Sequence, residues 1–95
     1  MALESRQRTK MYFEWAAIRV SYKSKSRDLP NGGFVESCGR QLDNGLIQLF
    51  VGVYSADGKP ITEDYTDNVQ GMTVDQAIDW GFDRGLSVGN GQKPN

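Results

Sequence analysis

Asp75, Asp79 and Asp83 recur at every fourth position, the spacing that lines side chains up on one face of a helix. Three carboxylates in a row could attract a divalent cation or a basic protein surface. No other ligand-bearing residue converges with them in the sequence pattern. The expectation is therefore an anionic surface read by a partner, with no metal and no cofactor. Trp80 stands among these acids, and with Asp79 and Asp83 beside it would form an aromatic anchor for a basic partner.

Nucleophilic catalysis is poorly served. The chain has no His and a single cysteine, which removes a His-based triad, a Cys/His zinc site and an internal disulfide. Cys38 falls in an expected strand, where a free thiol acts as a small hydrophobe. Ser24 and Ser26 alternate with Lys23 and Lys25, but on a polar loop they would lack the rigid support a Ser/Lys dyad needs. Asn31-Gly32-Gly33 and Gly89-Asn90-Gly91 precede no helix that could receive a phosphate. Residues 64–75 lack the sixth-position glycine and closing glutamate of a calcium loop. No enzymatic activity is expected.

Two groups of residues remain that could recognise something. Phe50, Tyr54 and Tyr65 fall on one face of an expected sheet, where open rings would stack on bases or anchor a protein interface. The competing expectation is that Tyr12, Phe13 and Trp15 cover them. Arg6, Arg8, Lys10, Lys23, Lys25 and Arg27 form a basic set interleaved with aromatics, the composition of a nucleic-acid surface. Against that use stands a net charge of −1, since such affinity grows with the number of phosphates neutralised.

The elements that must position these residues are announced mainly by turns. Asn44-Gly45 and Asp57-Gly58 are hairpin signals, and the run Leu46–Tyr54 between them, rich in β-branched and aromatic residues, reads as a central strand. With two-residue turns, Cys38 would face Val51, Phe50 would face Tyr65, and Tyr54 would face Ile61. Ile47, Leu49, Val51 and Val53 would then form the core face, and Phe50, Tyr54, Ile61 and Tyr65 the other. Residues 11–23 carry two periods. Met11, Trp15, Ile18 and Tyr22 have helical spacing, whereas Ile18, Val20 and Tyr22 alternate with polar residues as in a strand. The aromatic and β-branched content favours a strand, which leaves 23–33 as a loop.

The C-terminal helix has the clearest start. Thr73 and Gln76 form a capping box, Asp75 suits the positive end of the dipole, and Val74, Ala77, Ile78, Gly81 and Phe82 make an apolar stripe. Gly85 would end it at about Arg84. The expected fold is α+β: a four-stranded antiparallel meander (ββββα) with one amphipathic helix on one face. A single domain would span residues 11–86, between a flexible segment 1–10 and a tail 87–95.

At 95 residues the chain has room for one core. No apolar run reaches the roughly 20 residues of a membrane span, and the N-terminus lacks a secretory apolar region, so a cytoplasmic protein is expected. Residues 1–42 carry eight Lys/Arg against four acids, and residues 43–95 carry three against eight. The two halves would either steer oppositely charged partners or neutralise one another. Together these features point to a small non-enzymatic protein-binding module, an inhibitor, adaptor or assembly factor of bacterial or phage type, with a homodimer as a related form. A nucleic-acid binder using the basic set is the alternative.

Overall fold

A computed structural model describes residues 9–18 and 20–91. Two helices, α1 (Lys10–Ala17) and α2 (Val74–Gly91), flank four strands, β1 (Lys23–Asp28), β2 (Phe34–Gln41), β3 (Ile47–Tyr54) and β4 (Pro60–Thr66). The strands form one antiparallel sheet in the order β1-β2-β3-β4. The class is α+β, with a C-terminal helix on the sheet and an additional short helix at the N-terminus. Among the described residues, no helix is long and apolar enough to cross a membrane.

All three hairpins turn in the same way. Leu29, Leu42 and Ser55 each donate a backbone N–H to the carbonyl four residues on, at 2.8–2.9 Å, and each accepts from Gly32, Gly45 and Gly58 respectively, at 2.9 Å. Those glycines have φ of 86–89°, and among the described residues no non-glycine residue has positive φ. These are three-residue loops with glycine in the left-handed position, not the two-residue turns expected at Asn44-Gly45 and Asp57-Gly58. The extra residue shifts the β2–β3 register by one, so Cys38 lies opposite Phe50 instead of Val51. In the β3–β4 loop, Asp57 accepts from the Ser55 hydroxyl and the Lys59 N–H, and these bonds hold its carboxyl below the usual range.

Phe50 does face Tyr65. Tyr54, however, pairs with Pro60 across an irregularity at Val53/Tyr54. That bulge moves Ile61 to the α2 side, where it packs near Val53 and Phe82. The β3 faces divide as its alternation implies: Ile47, Leu49, Val51 and Val53 pack towards α2, and Phe50 packs on the other side with Trp15, Cys38, Tyr12 and Tyr65.

The first strand is not residues 11–23. Residues 10–17 are helical, and Thr9 supplies the N-cap, its hydroxyl accepting from the Met11 N–H at 3.3 Å. The alternation of Ile18, Val20 and Tyr22 belongs to the connection that follows. The outer strand is Lys23–Asp28, with all six residues exposed, so it carries no apolar alternation and is held by backbone pairing to β2.

α2 starts as expected, with the Thr73 N–H donating to Gln76 Oε1 at 2.9 Å and the Gln76 N–H to Thr73 Oγ1 at 3.1 Å. It then continues through Gly85 to Gly91, so residues 87–91 are helix and not tail. Gly81, Gly85 and Gly89 form a stripe against the sheet. A Cβ on Gly85 would meet Val35 Cγ1 at 2.6 Å, and one on Gly89 would meet Leu29 Cδ1 at 2.4 Å. The glycines let the helix backbone lie close over β2, where the Ser37 hydroxyl donates to the Ile78 carbonyl at 2.8 Å. Asn31 in the first hairpin donates to the Gly89 carbonyl at 3.2 Å.

Candidate protein-binding site

The aromatic sheet face is closed. Phe50 and Tyr54 are fully buried and Tyr65 is half-buried. The expectation that these rings stand open is corrected by α1. Trp15, 3% exposed, lies with its ring centroid 6.1 Å from that of Phe50 and 6.0 Å from that of Tyr65. Tyr12 meets Phe50 edge-on at 5.5 Å. Tyr54 lies across Gly52, where a Cβ would collide with its ring, and its hydroxyl donates to Glu63.

Arg40, 2% exposed, completes this layer. Its guanidinium stacks 3.8 Å above the Trp15 ring centroid and donates to Gln48 Oε1 at 2.7 Å and to the carbonyls of Trp15 and Ile18 at 2.8 and 3.0 Å. It thus caps the C-terminal end of α1, the negative end of the helix dipole. No spacing in the sequence announces this role.

On the α2 side the close approach to β2 has a consequence for β4. Because α2 sits over β2 and β3, the helix-facing side chains of β4 are left uncovered. A groove of about 260 Å³ separates them from the helix. Leu49, Val51 and Val53 make its floor, Thr62, Asp64 and Thr66 one wall, and Trp80, Arg84 and Val88 the other. Trp80 is 46% exposed, and the Arg84 guanidinium stands 5.0 Å from its ring centroid. Trp80 and Arg84 lie one helical turn apart, the i, i+4 spacing that could have flagged the pair. A larger hollow of about 630 Å³ opens at the other end of the sheet. It is a solvent-open depression whose charged rim is already matched, Lys23 to Asp75, and its Thr73 is engaged in the capping box.

Two of the three acids turn away from Trp80. Asp75 and Asp79 lie on the opposite flank of α2, where they meet Lys23 and Lys25 of β1, each at 3.3 Å. Asp83 is exposed. Half of the basic set, Lys23, Lys25 and Arg27, lies along the same seam, with Lys25 and Arg27 4.8 and 5.5 Å from the Phe82 ring centroid. With side chains 49–72% exposed, each ion pair contributes at most about 1 kcal/mol, yet both signs are locally balanced. Lys10 is exposed at the start of α1. Arg6 and Arg8 lie outside the described residues.

The groove offers non-covalent recognition: an indole, an apolar floor, a carboxylate, a guanidinium and the unpaired side of the edge strand β4. No protein-family model, curated protein or solved structure matches this chain.

Proposed function

We propose that the chain is a protein-binding module that takes an extended apolar segment of its partner into the groove between α2 and β4, with Trp80 as the anchor. The observation that carries this reading is the large exposure of Trp80 at the rim of a groove with an apolar floor. Tryptophan and arginine are the side chains most enriched among residues that dominate interface energies. Size argues the same way: about 260 Å³ lies below the roughly 300–1,000 Å³ of small-molecule pockets, and suits one or two side chains of a peptide. β4 adds an edge to which an extended segment can hydrogen-bond, with side-chain selection supplied by the groove. A role as an inhibitor, adaptor or assembly factor in a bacterial or phage-infected cytoplasm fits a domain that acts by contact.

Selection from a random-peptide display library tests this. Peptides enriched on the wild-type chain are expected to carry apolar residues at alternate positions and to lose at least tenfold in affinity on Trp80→Ala, the scale of an anchor contributing more than about 1.4 kcal/mol. Enriched peptides that bind Trp80→Ala equally well would place recognition elsewhere.

A further inference from the structure

α1 is a weak helix by itself. Its eight residues fall short of the roughly 12–15 an isolated helix needs in water. It has no acidic residue in its first turn and no basic residue in its last. The sheet supplies both. At the N-terminus the Glu63 carboxylate accepts from the Thr9 backbone N–H at 2.8 Å and from the Thr9 hydroxyl. At the C-terminus Arg40 donates to the carbonyls of Trp15 and Ile18. A carboxylate at one end and a guanidinium at the other complement a helix dipole in charge and direction.

These receptors are anchored within the sheet. Arg40 is braced by Gln48 and, at 3.3 Å, by the Tyr65 hydroxyl, and Glu63 accepts from Tyr54. What the sheet reads in α1 is backbone at both ends, one hydroxyl, and the rings of Trp15 and Tyr12. Of these contacts only the Ile18 carbonyl lies in the link to β1, from which Tyr22 also meets the Trp15 ring edge-on at 5.7 Å. In that link, Ile18, Val20 and Tyr22 are 39%, 38% and 56% exposed, so each of these alternate side chains keeps more than a third of its surface in contact with water.

We propose that this face is a helix-binding site that also accepts α1 of a second copy, producing a dimer by exchange of residues 9–17. Exchange remakes the same contacts between copies. The two connecting segments then run side by side, which covers Ile18, Val20 and Tyr22. The site lies on the face of the sheet opposite the Trp80 groove and does not rest on that reading.

The test uses a full-length Trp15→Ala chain, which keeps the receptor but weakens its own helix, and a fluorescent peptide of residues 9–20. Saturable binding is expected. It should be at least tenfold weaker for a peptide carrying Trp15→Ala, and for the native peptide against the wild-type chain, where the tethered helix competes at roughly millimolar effective concentration. No binding to a folded variant, or equal binding of the two peptides, overturns the proposal. If Trp15→Ala does not fold, isotope-filtered NOESY on a concentrated equal mixture of labelled and unlabelled wild-type chains decides the matter. Contacts between Trp15 of one copy and Phe50 of another are expected, and contacts confined within each copy overturn the exchange.

Discussion

Arg40 shows how a single residue can be decisive without being legible in the sequence. Its guanidinium is held by neutral acceptors, Gln48 and two helix carbonyls, and by the face of an indole. Removing it would leave those carbonyls and Gln48 without their donor in a buried setting, at about 1–3 kcal/mol for such groups, with lost packing added. Arg40→Ala is therefore expected to lower unfolding stability by about 2–4 kcal/mol in urea titration. Arg40→Lys should recover less than half of that loss, because an ammonium cannot bridge Gln48 and the helix end as a planar fork does. A loss below about 0.5 kcal/mol for Arg40→Ala would mean that the C-terminus of α1 is not held there. In the sequence Arg40 is one basic residue in a strand of mixed composition, and nothing within hydrogen-bond reach of it is near in sequence except Gln48.

The elements differ in how much of their placement is local. β2, β3 and β4 were readable because their turns carry glycine at the required position and their side chains alternate. The parity of β3 came out correctly even though loop length shifted its partner by one. β1 was hidden because none of its six residues is apolar. α1 was hidden because its burial rests mainly on Trp15, with Tyr12 packed beside it, too little to outweigh the strand-like alternation that follows. The end of α2 was misplaced because Gly85 serves close approach and not termination. Gly85→Ala measures this: alanine gains up to about 1 kcal/mol of helix propensity, yet its Cβ would lie 2.6 Å from Val35 Cγ1. The expected outcome is a net loss of about 1–3 kcal/mol, as for other overpacked cores. Gly91→Ala, with nothing within 4 Å, should be neutral or slightly stabilising by thermal denaturation. A stabilising Gly85→Ala would show that α2 does not lie against β2.

At the scale of the whole molecule, two helices divide the sheet between them. α1 seals the aromatic face that sequence alternation suggested was free. α2, drawn over β2 by its glycines, leaves the α2–β4 groove open. Part of the sorted charge of the two halves is matched within the fold, along the seam where Lys23 and Lys25 meet Asp75 and Asp79. Asp75 and Asp79 could be recognised as exposed, but their engagement with β1, away from the Trp80 groove, could not, because the flank each residue occupies depends on where the helix lands. The surface proposed for recognition thus follows from the difference between the two tryptophans. Acrylamide quenching of Trp15→Phe and Trp80→Phe, each retaining one indole, tests that difference directly. Trp80 is expected to be strongly quenched with red-shifted emission, and Trp15 to be weakly quenched with blue-shifted emission. Equal quenching of the two, or a more accessible Trp15, would contradict the placement of α1 over the sheet and of Trp80 at the open groove.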